Sequence, residues 1–280
     1  MSVVAVEPTL IGCATCGVEY GTERSALPDV CPICADERQY VPATGQAWTT
    51  QAELAARTEV RIAELGPDQW GITAVGVGIG QTMQVLRTPD GVLLWDPTGL
   101  VDRATAAFVR SLGPVRAIVA SHPHMYGAQV AWSRALGDPP VLVNVADREW
   151  LQRDDAVVRP WSGSLPLGEG LGLHTLGGHF PGSAIAHWTG ADDSGTVLAS
   201  DTIMVNGDRR TVSFLRSYPN RIPLSGAVVG RIAEAVAGLR FERLWSNFGN
   251  ALTDGADARV QASARRHIGW VRGDFDDLTG

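Results

Sequence analysis

Lysine is missing from this 280-residue chain: all 23 of its cationic side chains are arginines, set against 30 acidic residues for a formal net charge of −7. The arginines are scattered rather than gathered into a stripe, so there is no electrostatic footprint for nucleic acid. Cysteine is missing beyond position 34, which excludes a disulfide framework spread through the fold. No apolar run approaches the roughly 20 residues of a membrane span, and the N-terminus lacks the basic start and long apolar stretch of a signal peptide. The resulting expectation is a cytoplasmic protein whose partner is a small-molecule substrate, with neither nucleic acid nor membrane. Internal repeats and low-complexity tracts are absent too. What is present is ordinary globular material, 45% hydrophobic, enough for one large domain with a small appendage.

All four cysteines belong to one local pattern. Cys13 and Cys16, then Cys31 and Cys34, give C-x2-C-x14-C-x2-C. A segment this short cannot bury enough apolar area to fold alone, so a tetrahedral metal held by four thiolates is the expected source of its stability. The fragments "CATCG" and "LPDVCPIC" resemble the knuckles of zinc ribbons and rubredoxins, which implies zinc, with iron as the alternative. Such a site is closed and therefore structural. The boundary of this module falls near Ala43 to Trp48, giving domains 1–45 and 46–280.

Thr50 with Glu53 forms a capping box that predicts a short helix. Gly71 to Val77, Gln81 to Leu86 and Val92 to Trp95 then read as antiparallel strands. From Asp102 the pattern alternates. Helices are expected over Ala104 to Leu112, Tyr126 to Leu136, Asp147 to Arg153, Leu224 to Leu239 and Ala256 to Val271. Strands are expected over Val115 to Ala120, Val141 to Val145, Leu171 to Leu176, Ala184 to Trp188, Thr196 to Ser200 and Phe241 to Trp245. Sheets first and mixed elements later predict an α/β (α+β) protein with two sheets and helices outside them.

Four features that carry chemistry follow in chain order: Asp96 in "LLWDPTGL", His122 and His124 in "SHPHMYG", His179 in "GGHFPGS", and Asp201 after the strand "TVLAS". Each stands where a strand gives way to a loop. Three imidazoles and a carboxylate are a natural ligand set for zinc or another divalent metal with room for a water. These motifs resemble the metallo-β-lactamase superfamily over roughly residues 50 to 280. The resemblance implies an αββα sandwich. It matches His122 and His124 to the first two histidines of the H-x-H-x-D-H signature, and His179 to the histidine of the GH-x-PG loop. Asp201 matches the metal-bridging aspartate, and Asp96 the aspartate that supports the ligands from behind.

The departures are as orderly as the matches. Tyr126, Gly127 and Phe248 stand where the family places the private ligands of its second metal, whereas the histidines of the first are complete. This pattern implies a mononuclear site and a hydrolase that uses a metal-activated water, with an ester, thioester or lactone as substrate. Asp201 is expected to orient the water and take its proton. Tyr126 either offers its hydroxyl to a developing oxyanion or fills the vacated second site together with Phe248. The rival readings are a non-catalytic binding protein and, less favoured, a redox protein of the di-iron type. "GVGIGQ" fails the dinucleotide fingerprint and reads as a hairpin loop over the site. His174, His187 and His267 read as core or solvated residues. Trp95, Trp188 and Trp245 are expected in the core, and Trp161 and Phe180 near the site.

Overall fold

The computed structural model describes residues 3–190 and 193–280. They form two units, one up to Trp161 and one from Ser162 onward. In the first unit the cysteine segment supplies β1 (Ile11–Cys13), β2 (Glu19–Tyr20) and the one-turn α1 (Pro32–Ala35). β1 pairs antiparallel with β2 and with β3 (Trp48–Thr50), so backbone hydrogen bonds join residues on either side of position 45. The capping box is present: Thr50 accepts from the Glu53 amide and Glu53 from the Thr50 amide, which starts α2 (Gln51–Arg57).

A seven-stranded sheet follows. β4 (Val60–Gly66), β5 (Gln69–Ala74), β6 (Thr82–Thr88) and β7 (Gly91–Trp95) are antiparallel neighbours. The crossover through α3 (Arg103–Ser111) then makes β7 parallel to β8 (Val115–Val119). α4 (Gln129–Ala135) leads to β9 (Val141–Asn144), and β10 (Val158–Trp161) closes the edge, again in parallel. All five residues of β7 are buried, as expected of a strand in the parallel part of a sheet. Val85, Leu94, Ile118, Trp132 and Val141 share one apolar core with the four cysteines.

In the second unit β11 (Ser164–Gly168), β12 (Leu171–Thr175), β13 (Ala184–Trp188) and β14 (Thr196–Leu198) form antiparallel neighbours. Two small hairpins, β15 (Met204–Val205) with β16 (Val212–Ser213) and β17 (Leu215–Ser217) with β18 (Ile222–Pro223), precede α5 (Gly226–Ala237). β19 (Arg243–Trp245) returns parallel to β14 and pairs with β20 (Ala251–Leu252), after which α6 (Ala256–Arg272) follows. Small residues let the last two helices meet: a β-carbon at Gly226 would lie 3.4 Å from Val271, and Gln261 donates to the Ala233 carbonyl at 2.8 Å. Ile185, Phe214, Ile232, Phe241, Leu244 and Val260 make the core here.

Some expectations are corrected. The helix expected from Tyr126 begins at Gln129, because Gly127 takes φ +50° and breaks the run after a single 3-10 turn, Pro123–Met125. The helix expected over Asp147 to Arg153 is the 3-10 segment Val145–Trp150. β4 carries little apolar alternation because it is an edge strand exposed along most of its length. His267 is not merely solvated: its Nε2 meets the Leu224 carbonyl at 2.8 Å. Trp95, Trp188 and Trp245 are buried as expected.

Asp102 caps α3, its carboxylate accepting from the amides of Ala104 and Thr105 at 3.0 Å each. Asp102→Ala is expected to cost about 1 kcal/mol of unfolding free energy in urea titration, and an unchanged midpoint would contradict the cap's contribution.

Candidate metal centres

The four thiols are buried and free of disulfides. Cys13 and Cys34 Sγ lie 3.7 Å apart, and Cys16 and Cys31 Sγ 3.8 Å apart. Four sulfurs placed tetrahedrally around a metal at about 2.3 Å are separated by about 3.8 Å, so the cluster has the dimensions of a zinc or iron tetrathiolate. The hydrogen bonds from Cys16, then Cys31 and Cys34, hold the Cys13 thiol far below its usual pKa. Cys13 in turn is the largest influence that raises Cys16 and Cys34. A dication removes that conflict by stabilising all four thiolates together. Gln46 braces both knuckles: its Oε1 accepts from the Cys31 amide at 2.9 Å, and its Nε2 donates to Cys13 Sγ at 3.3 Å.

His122 and His124 occupy the loop after β8, both buried. Asp96, at the end of β7, takes a left-handed conformation with φ +56°, and its Oδ1 accepts from the Ser121 amide at 2.7 Å. That bond fixes the backbone immediately before His122. His122 Nδ1 meets Ser121 Oγ at 2.9 Å, and with Nδ1 donating, Nε2 carries the lone pair that a metal requires. The two rings stand 5.1 Å apart at 77°.

In the second unit, His179 follows β12 and Asp201 follows β14. His179 Nδ1 lies 3.1 Å from the Leu215 carbonyl, which can only accept, so Nδ1 bears the proton and Nε2 the lone pair. Phe180 packs edge-on against this ring, with centroids 5.3 Å apart. Asp201 Oδ2 stands 3.5 Å from His179 Nε2, and Asp201 Oδ1 accepts from Asn247 Nδ2 at 3.0 Å. Ser200, at φ +51°, turns the chain so that Asp201 is presented from a 3-10 turn. Asn247 and Tyr218, whose hydroxyl donates to the Asp201 carbonyl at 3.0 Å, were not singled out in the sequence. Asn247 was findable, because it sits beside Phe248 in the loop where a family ligand is replaced. The four cysteines form a donor group able to hold a metal ion, while His122 and His124 in the first unit and His179 and Asp201 in the second are each buried side chains of metal-ligating type.

No protein-family model matches the chain. The uncharacterized protein YmaE of Bacillus subtilis (strain 168) is 38% identical over 261 residues, covering 91% of this chain and 94% of that protein. The chain belongs to the YmaE family. Its fold is that of the metallo-β-lactamases. DIM-1 metallo-β-lactamase matches with a TM-score of 0.55 at 13% identity over 74% of this chain and 98% of its own. The Pseudomonas aeruginosa metallo-β-lactamase FIM-1 in its mono-zinc form matches at 0.53 and 16% identity over 75% and 96%. A metallo-β-lactamase from Erythrobacter litoralis matches at 0.51 and 19% over 74% and 97%.

The three replaced positions have distinct surroundings in this YmaE relative. The Tyr126 hydroxyl donates to the Asp147 carbonyl at 2.8 Å, so its proton is committed to backbone, and burial pushes its pKa well up. Phe248 is 41% exposed, which does not suit the packing role considered for it. At Gly127 a β-carbon would lie 2.1 Å from the Pro97 carbonyl oxygen. The "GVGIGQ" turn, expected over the site, packs instead on the cysteine module, where a β-carbon at Gly78 would lie 2.8 Å from the Cys16 carbonyl oxygen. Gly127→His is therefore expected to lower the melting temperature by several degrees, consistent with a destabilisation of about 1–3 kcal/mol, and to add no metal. A stable variant with an extra equivalent by elemental analysis would contradict the steric argument.

Proposed function

We propose that the chain is a metallo-hydrolase in which His122, His124, His179 and Asp201 hold one divalent cation, zinc, and the four cysteines hold another. The support is the arrangement of the histidines. His179 is fixed by a backbone carbonyl with its Nε2 presented as a ligand atom, and His122 has a hydroxyl partner at Nδ1 suited to the same tautomer. The mono-zinc form of FIM-1 supports a single cation in this fold. A cation bound there lowers the pKa of a water towards neutrality and polarises an acyl carbonyl.

The chain's own residues supply the rest. Asp201, whose Oδ1 accepts from Asn247, would orient the water, as a ligand of the cation or through a hydrogen bond, and take its proton. Asp96 keeps the Ser121–His122 backbone in place through the Ser121 amide. Tyr126 anchors the Val145–Trp150 turn through the Asp147 carbonyl rather than donating to an oxyanion. Carbonyl addition develops one oxyanion, which one cation can stabilise, whereas two-metal phosphodiester cleavage needs the attacking and leaving oxygens held by separate ions. The substrate class is accordingly an ester, thioester or lactone.

Two variants test this on a panel of aryl esters, acyl thioesters and lactones. Asp201→Asn is expected to lower kcat by roughly 10²–10⁴-fold, the range of general acid–base catalysis. Tyr126→Phe is expected to leave kcat near wild type while costing about 1 kcal/mol of stability for the lost bond to backbone. Hydrolysis that survives in Asp201→Asn or in the apo chain contradicts the metallo-hydrolase reading. A large loss of kcat in a fully metallated Tyr126→Phe variant returns the hydroxyl to the chemistry.

A further inference from the structure

The cysteine module reaches into the loop that carries His122 and His124. On one side, three glycines bring backbones together: Gly17 in the knuckle, Gly78 in "GVGIGQ" and Gly99 in "DPTGL". A β-carbon at Gly99 would lie 2.5 Å from the Gly17 carbonyl oxygen. On the other side stands Glu19, three residues after Cys16 and only 3% exposed. Its amide donates to the Gly127 carbonyl at 2.9 Å. Its carboxylate accepts from the Val130 amide at 2.5 Å and from the Ala131 amide at 3.2 Å. These are the opening amides of α4, whose own cap residue, Ala128, has no side chain that can accept them. Arg153 donates to the same carboxylate at 2.8 Å and balances its charge, with Glu7 as its second partner at 3.1 Å.

We infer that Glu19 is a positioning residue through which the metal held by the cysteines sets the metal affinity of the histidine site. The inference rests on the proposed reading of His122 and His124 as ligands. Between His124 and the amides that Glu19 holds lie only the end of the 3-10 turn, Tyr126, the left-handed Gly127 and the start of α4. Gly127 is pinned from both sides, by Glu19 at its carbonyl and by the Pro97 carbonyl over its α-carbon. β2 keeps its place because β1 pairs with it while carrying Cys13. Release of the thiolate-bound metal frees the knuckle, withdraws the carboxylate from two buried amides and an arginine, and loosens the turn that carries His124.

The test uses the full chain loaded with cobalt(II). Thiolate-to-cobalt charge-transfer absorption reports the cysteine site, and d–d bands with a chelator competition report the histidine site. Glu19→Ala is expected to keep the charge-transfer band while histidine-site affinity falls roughly 10–100-fold, the usual cost of losing a residue that supports a ligand. Glu7→Gln, which removes only the second partner of Arg153, is expected to leave both signals unchanged. In the unmutated chain, titration of the thiolates with an organomercurial is expected to expose the histidine-site cobalt to chelator in step with loss of the charge-transfer band.

Wild-type histidine-site affinity in a Glu19→Ala variant that retains its cysteine-site band would overturn the inference. If that variant loses the band, the mercurial titration decides, and a histidine site indifferent to thiolate modification overturns it. A wild-type chain that binds cobalt only at the cysteines shows a different failure: the ligand reading itself falls, and the inference with it.

Discussion

The approach of the Gly127 backbone to the Pro97 carbonyl is the contact on which the course of the histidine loop depends. It admits no side chain, because a β-carbon there would sit 2.1 Å from oxygen. The chain therefore turns with φ +50° immediately after Tyr126, ends the 3-10 turn that bears His124, and starts α4 three residues later than helical periodicity suggests. The same turn presents the Gly127 carbonyl to the cysteine module. Pro97 is itself held by the loop it belongs to. Asp96 before it binds the Ser121 amide, Gln81 donates to the Pro97 carbonyl at 3.1 Å, and Trp132 donates to the Thr98 carbonyl at 3.1 Å. One close backbone contact thus closes the position where the resemblance places a second-metal ligand and sets the course of the histidine loop.

The two donor groups solve opposite electrostatic problems. Four buried thiols within hydrogen-bonding distance of one another cannot all ionise unaided, and their pKa values are driven apart by their mutual contacts. A dication makes the arrangement stable and leaves no ligand position open, which suits a structural role. At the proposed histidine site, where His122 and His179 have Nδ1 engaged, the ligand set brings a single carboxylate, and a cation held there would retain its Lewis acidity. Asn247 matters in this setting because it occupies one oxygen of Asp201 without neutralising it.

Much of this was legible in the residues. The capping box at Thr50 and Glu53, the strand Ala184 to Trp188, the buried β7 and the last helix all follow local pattern, and local pattern is what periodicity reads. The cysteine spacing and the order of Asp96, His122, His124, His179 and Asp201 were legible because ligand chemistry restricts residue type. What escaped is long-range. The pairing of β1 with β3 across the expected domain boundary leaves no mark on either segment. Glu19 reads as an ordinary polar residue until its partners, 111 and 112 residues away, are known. The "GVGIGQ" turn reads as a flexible hairpin loop over the site because its glycines signal flexibility equally well as they signal close packing. The edge strand β4 was missed because exposure on both faces removes the alternation that identifies strands.

The claim at the centre of this account is one cation at the cysteines and one at the histidines, with the second position of the fold closed. Metal content per chain, measured by elemental analysis on the purified protein and matched to its mass under native conditions, tests it most directly. Two equivalents agree with the account. Three would mean that the region around Gly127 accommodates a metal after all, and one, retained by the cysteines, would leave the histidine group without the ion on which the proposed chemistry depends.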